Sequence, residues 1–372
     1  MKIAIVAGIC VERDAISAAA STQAQLLAGL DGVDDVVLIA QHFDRRCSVR
    51  TVTVGDSWSL VLHPEIEQSD LVIFHWGIRY ELFNALPVIA SERHAVVHFH
   101  NITPAHLVPE EDRAVIEQST RQIQLPLLTE TTVWAVSNFN LSTLREWGYP
   151  EEQIRLVPFP VGRGVHPARR PGPRDRVRLL AVGRLVAAKG VGVLVEAMSS
   201  VVRSLEGRVS LVLAGSADLS NRSYISDLAA SIRTRDLTRY VTIKEDLDDR
   251  DLALEYEHAD VVVSPSLHEG LCVPVIEGYR AGCNVIGTDA GNLPYVVQPP
   301  DPVVPAGDPH ALAEAIVAMG RLVLAGDNSL PAGVKDVIAQ YSTDHTRLEL
   351  TAAIRELGQY GRSRPAASLA ST

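Results

Sequence analysis

A chain of 372 residues is long for one domain and ample for two. Hydrophobic side chains make up 47 % of it, enough for sizeable cores, while a net charge of −11 argues against nucleic acid or an anionic membrane surface as the principal partner. Its four cysteines show no CxxC spacing and no apolar run nears a membrane span, which argues against a disulfide framework and against stable membrane insertion.

The chain opens on a strand at residues 3–6 with no signal peptide ahead of it, so the expected compartment is the cytoplasm. Residues 1–160 alternate between β-branched runs and helical patterns. Strands are expected at 3–6, 36–39, 71–74, 95–99, 133–136 and 154–157, with a helix over 15–30. Such alternation implies a parallel sheet covered on both faces. The loop after the first strand, Gly8 to Asp14, lacks the GxGxxG of a dinucleotide site. His75 and the run His98-Phe99-His100-Asn101-Ile102-Thr103-Pro104 stand at strand ends. His98 and His100 share one side of an extended strand, and His100 is nearer the carboxyl end, where sites form. A zinc site there would need a third ligand, and the spacing shows none. Ser137 opens a helix as an N-cap residue.

Residues 161–178 are rich in Pro, Gly and Arg and read as a linker. A second αβ domain follows over 179–340. Its first strand runs into Gly183, Arg184 and Lys189, and a helix over 193–205 comes next. Two cations beside a helix start suit a diphosphate. Strands at 209–214 and 241–244 and a helix at 252–258 continue the alternation. Lys244 and Glu245 end one of these strands and are expected to edge a ligand pocket there. Asp246 and Asp248 precede a helix and read as caps rather than metal ligands. Residues 260–297 are the most informative stretch. A buried strand leads into a turn holding Glu269, then a helix over 273–281 that carries Pro274 in its first turn and Glu277 one turn on. Between the carboxylates lie Gly270, Leu271, Cys272 and Val273, whose backbone N–H groups lead into a helix N-terminus. Acceptors and free donors together suit a polyhydroxyl ligand carrying phosphate. Asp308 caps a helix over 310–322, a last amphipathic helix covers 345–357, and the tail 358–372 is small and polar.

The pair Glu269 and Glu277 resembles the Glu-x7-Glu signature of retaining glycosyltransferases of the family-4 type, also called glycosyl transferases group 1. The Arg184 to Gly190 segment resembles their Gly-Arg-x5-Lys-Gly motif, shortened to a four-residue gap. The His-Asn-Ile-Thr-Pro run and Ser137-Asn138-Phe139 resemble further segments of that family. Where the family commonly shows Gly-Gly-x-Pro-Glu, this chain reads Gly291-Asn292-Leu293-Pro294-Tyr295.

The resemblance implies an α/β architecture of two Rossmann-like domains facing across a cleft, the GT-B fold. The helix at 345–357 would return to the first domain. It implies a metal-independent hexosyltransferase without cofactor. Its partners would be a nucleotide-sugar donor, UDP-linked in preference to GDP-linked, and a small-molecule or glycan acceptor. Natural-product or cell-envelope glycan biosynthesis is the implied setting. Arg184 and Lys189 would neutralise the diphosphate. Glu269 and His100 would meet the sugar, Glu277 the ribose, and Gly8 would lie in the acceptor-facing loop. A sugar-nucleotide epimerase, a glycan phosphorylase and a two-domain solute-binding protein are the alternatives. The first would usually lack the glutamate pair, the second needs a Schiff-base lysine, and the third an export signal. Oligomeric state stays open.

Overall fold

The structure, a computed structural model, describes residues 1–12, 14–44, 46–161, 172–216 and 221–360. Most of the expected linker and the end of the expected tail lie outside the described residues. The chain divides into two units. One comprises Met1–Ile102, Ala114–Pro160 and the chain from Ser342. The other comprises Thr103–Arg113 and Val161–Tyr341.

The first unit holds a parallel sheet of seven strands. They are β1 (Lys2–Val6), β2 (Asp35–Ala40), β3 (Arg50–Thr53), β4 (Leu71–Trp76), β5 (His94–Phe99), β6 (Thr132–Ala135) and β7 (Ile154–Leu156). Their spatial order is β3-β2-β1-β4-β5-β6-β7. The order reverses direction between β1 and β4, which fixes where a ligand crevice opens at the carboxyl ends. The central strands β1 and β4 are buried almost throughout, as continuous β-branched runs in a two-sided parallel sheet must be. The edge strand β3 was not expected. Its sequence, RTVT, is short and mostly exposed, so it carries no core signal. The first helix stops at Leu27 rather than Leu30. Asp14 caps it, accepting from the Ser17 N–H at 2.7 Å. Leu350 and Ala353, from the helix Thr343–Tyr360, are buried in the same core as Ile3, Leu27 and Ile73.

The second unit holds six parallel strands. They are β8 (Val177–Val182), β9 (Val209–Gly215), β10 (Val241–Glu245), β11 (Val261–Ser264), β12 (Asn284–Thr288) and β13 (Val303–Val304). They are ordered β10-β9-β8-β11-β12-β13, so the reversal falls between β8 and β11. Val177 and Arg178, expected in the linker, belong to β8. Asp260 fixes this segment, accepting from the Arg178 N–H at 2.9 Å and from Arg174 Nε at 3.1 Å. The helix Val191–Ser204 lays Leu194, Val195, Met198 and Val201 on the sheet at helical spacing, and the helix Pro309–Ala325 adds Leu312, Ile316 and Val323. Asp308 caps the latter as expected, accepting from the N–H groups of His310 and Ala311.

Candidate functional site

In the second unit the loops leaving β8 and β11 lie side by side at the reversal point. They line a pocket that includes Gly183, Arg184, Lys189, Ser264, Pro265 and Ser266. The two loops are joined through backbone. The Leu267 N–H donates to the Ala188 carbonyl at 2.9 Å. Gly190 has φ +64, and a Cβ there would fall 1.8 Å from the Pro265 carbonyl oxygen, so only glycine fits this contact. The turn that presents Lys189 is thus locked against the strand end that leads to Glu269.

Glu269 is almost fully buried, with one carboxylate oxygen accepting two hydrogen bonds. Lys189 Nζ donates at 2.7 Å and Ser266 Oγ at 2.7 Å. Ser266 is held in turn because its carbonyl accepts from Thr288 Oγ1 at 2.6 Å. The Glu269 backbone is pinned by the next loop. The Asn292 N–H donates to its carbonyl at 2.8 Å, and Gly291, at φ +58, passes so close that a Cβ would sit 2.1 Å from that oxygen. Asn292, which stands at the second glycine of the Gly-Gly-x-Pro-Glu pattern, also donates from Nδ2 to the Leu271 carbonyl at 3.0 Å. Arg184 is exposed beside Lys189. Gly183 has φ +150 and its N–H donates to the Ala214 carbonyl at 3.0 Å.

Beyond Glu269 the chain turns through Cys272, a non-glycine residue at φ +65, into the helix Val273–Ala281. Pro274 lies in its first turn and Gly282 ends it at φ +86, both as the sequence dictates. No side chain caps this N-terminus. Cys272 is buried and its Sγ lies 3.3 Å from Ser264 Oγ, and burial pushes its thiol well above the ordinary range. Glu277 accepts from Tyr256 Oη at 2.8 Å. Burial pushes the Glu277 carboxyl up to about 7, against the pull of that hydrogen bond. Tyr256 is fully buried.

Several expected site residues are already engaged. Lys244 Nζ donates to Glu255 Oε1 at 2.6 Å, so this cation is paired within its own unit. Asp248 caps the helix Asp249–His258, accepting from the Asp251 N–H at 2.8 Å. Asp246 precedes that cap and has φ +54. Ser137 is completely buried and caps the helix Asn138–Glu146, accepting from the Asn140 N–H at 3.1 Å. This is the capping role that the sequence gives it.

In the first unit Gly8 follows β1. A Cβ there would lie 2.9 Å from the Tyr80 side chain, so the glycine admits the ring. β4 and β5 pair in register with His75 opposite His98. His100 follows one residue beyond β5, and its N–H donates to the Trp76 carbonyl at 2.8 Å. The ligand atoms of His75, His98 and His100 lie within 4.8 Å of one another. The third histidine, invisible as a spacing, is supplied by strand pairing. These rings are bonded to each other and to a buried glutamine. His75 Nδ1 is 2.8 Å from His100 Nε2, His75 Nε2 is 2.6 Å from Gln23 Oε1, and Gln23 Nε2 is 3.1 Å from His98 Nδ1. His98 Nε2 is 2.9 Å from the Val157 carbonyl. Burial pushes His98 down to about 4, and lowers His75 and His100 well below the usual imidazole range.

Sequence reasoning missed Ser266, Asn292, Tyr256 and Gln23. Ser266 and Asn292 flank the Glu269 turn and could have been read as its supports. Tyr256 and Gln23 sit on helices with no local signal pointing to a site.

The family model described as glycosyl transferases group 1 matches residues 176–322, the span that carries Arg184, Lys189, Glu269 and Glu277. An MMP alpha-(1->4)-mannosyltransferase of Mycolicibacterium hassiacum is 27 % identical over 180 residues, 48 % of this chain and 42 % of that protein. Across the curated relatives it matches, the chain spans between 30 % and 62 % of their length. Among solved structures, sucrose-phosphate synthase from Thermosynechococcus elongatus superimposes with TM-score 0.73 at 21 % identity, covering 97 % of this chain and all of that one. HepE from Anabaena, solved in complex with UDP and glucose, gives TM-score 0.72 at 15 % identity, with 96 % and 100 % covered. The fold of this chain is that of the GT-B glycosyltransferases.

Proposed function

We propose that this chain, whose second unit matches the group 1 glycosyltransferases, is a retaining glycosyltransferase. In this reading it moves a hexosyl group from a nucleoside-diphosphate sugar to an acceptor hydroxyl. The observation that carries the reading is the gathering of Arg184, Lys189, Glu269 and an uncapped helix N-terminus at the reversal point of one sheet. Two cations and the N–H groups of that helix terminus meet a diphosphate, and the carboxylate beside them meets the sugar.

The donor binds the second unit and the acceptor the first. The bond between the anomeric carbon and the diphosphate oxygen breaks, and its electron pair leaves with the phosphate. Arg184 and Lys189 stabilise that growing charge. The acceptor oxygen forms the new bond on the same face and its proton passes to the departing diphosphate oxygen on that face. No second carboxylate stands as a nucleophile among the site residues described, so a glycosidase-like double displacement is not part of the scheme. Glu277 accepts from the ribose hydroxyls and His100 takes a hydroxyl of the substrate. The likeness to HepE, solved with UDP and glucose, supports a UDP-sugar over a GDP-sugar, and the cation pair supports turnover without a metal.

The test is a matrix of UDP- and GDP-hexoses against glycan and small-molecule acceptors, with and without EDTA. Nucleoside diphosphate release is the readout, and NMR assigns the anomeric configuration of the product. Acceptor-dependent release of UDP, unaffected by EDTA, with the donor's configuration kept, is expected. Inversion, loss of turnover in EDTA, or binding of no nucleotide would each remove the corresponding part of the proposal.

A further inference from the structure

Every ring nitrogen of His75 and His98 has a partner, and the partners leave no freedom of assignment while the rings are neutral. A backbone carbonyl can only accept, so His98 Nε2, 2.9 Å from the Val157 oxygen, carries its proton. A neutral His98 then presents a bare Nδ1. The Gln23 group 3.1 Å away must therefore be its amide nitrogen, which turns Oε1 toward His75. Oε1 only accepts, so His75 Nε2 is protonated and His75 Nδ1 is bare. His100 Nε2, 2.8 Å away, must donate to it. His100 Nδ1 is left with a lone pair, and it has no hydrogen-bond partner among the described residues.

We propose that the Val157 carbonyl, acting through His98, Gln23 and His75, fixes His100 in the tautomer whose Nδ1 accepts a hydrogen bond from a substrate hydroxyl. Gln23, His75 and His98 are positioning residues, because they act on substrate only through His100. The substrate role rests on the reading of His100 given above, whereas the fixed tautomer does not.

The packing supports neutrality as well as direction. His75 stacks on His100 with ring centroids 5.0 Å apart, and His98 lies 5.2 Å from His75 and 5.1 Å from His100. A charge on one ring disfavours a charge on the next, and the titratable groups acting on these three are one another. A metal bound by all three would need the lone pairs of His75 and His98 that already accept from His100 and Gln23, and would have to break both bonds.

The experiment is long-range ¹H–¹⁵N correlation on the full chain with ¹⁵N-histidine at pH 7.5. His75, His98 and His100 are each expected as the neutral Nε2–H tautomer. The Gln23→Glu variant removes the donor that faces His98 Nδ1 and puts an acceptor there. His98 is then expected to hold protons on both nitrogens at neutral pH. Gln23→Leu severs the chain, and the His75 and His100 signals should shift toward mixed tautomers. Protonated Nδ1 on wild-type His100, unchanged tautomers in both variants, or zinc bound stoichiometrically through the three rings would overturn the relay. In turnover, Gln23→Leu should lower kcat about tenfold, the worth of one well-placed hydrogen bond, with UDP affinity unchanged. If the tautomers are as expected but His100→Ala turns over normally, the relay stands and the substrate role of His100 falls.

Discussion

Lys189 and Glu269 hold each other: Nζ stands 2.7 Å from Oε1, with the lysine side chain one quarter exposed and the glutamate 8 % exposed. The cation assigned to the leaving diphosphate and the carboxylate assigned to the sugar are therefore one coupled element. Neither can be removed without changing the other, which separates Lys189 from the exposed Arg184.

Lys189→Ala should lower kcat roughly a hundredfold or more, as loss of a partner for developing charge does. It should also lower stability by about 1–3 kcal/mol, because Glu269 keeps only Ser266 as donor in a buried position. Arg184→Ala should affect turnover with almost no change in melting temperature. Thermal melts beside steady-state kinetics check both, and equal stability losses in the two variants would refute the coupling.

The two glutamates should separate in binding. Glu277→Gln is expected to weaken UDP by about 1–3 kcal/mol, since a hydrogen bond to a charged group is lost from a part of the donor that does not react. Glu269→Gln, which keeps a side-chain oxygen for Lys189 but meets no part of UDP itself, should change UDP affinity less than Glu277→Gln does and lower kcat instead. Calorimetric titration of both variants decides this, and the opposite pattern would exchange the two roles.

The pH dependence of Glu277 has a definite sign. Its carboxyl is pushed from the ordinary 4.5 up to about 7, so the folded chain holds a proton that the unfolded chain has released. Its contribution to stability is therefore present below about 4.5 and is lost as pH rises through 7. Glu277→Gln should be more stabilising at pH 8 than at pH 5. UDP binding, which needs the carboxylate, should tighten from pH 6 to pH 8 in the wild type by more than in the variant.

The histidine group has the opposite sign. With His98 down to about 4 and its two neighbours also lowered, the unfolded chain binds more protons than the folded one below 6.5. That stability is present above 6.5 and is lost as pH falls toward 4. Urea unfolding between pH 7.5 and 5, in the Glu277→Gln background to remove the opposing effect, should show stability falling with acid. A flat profile would mean the rings are charged in the folded state.

Much of this could be read from residue order. The helix Val273–Ala281 is bounded by Pro274 and Gly282, whose backbone constraints are local, and its limits match the expectation residue for residue. Arg184, Lys189, Ser266 and Glu269 meet because β8 and β11 are neighbours, whereas alternation of strands and helices implies only the parallel sheet and not which strands adjoin. What stayed hidden depends on pairing across the chain. Gln23 and His98 are 75 residues apart and meet only once the first helix is laid on the sheet. The ion pair of Lys244 with Glu255 is hidden in the same way, because a lysine at a strand end gives no sign of its partner on the next helix. The capping bond of Ser137, by contrast, is local and legible in the residue order.

The helix Thr343–Tyr360 completes the core of the unit that begins at Met1, with Leu350 and Ala353 fully enclosed among residues of the first strands. The main segment of the second unit, Val161–Tyr341, is thus inserted between two parts of the first. During synthesis the second unit emerges with all its strands before the first unit receives its final packing surface. Residues such as Ile3, Leu27 and Ile73 must wait, partly uncovered, until Val161–Tyr341 has been synthesised. The order of completion is the reverse of the order of synthesis, which makes the first unit the one most in need of protection on the ribosome.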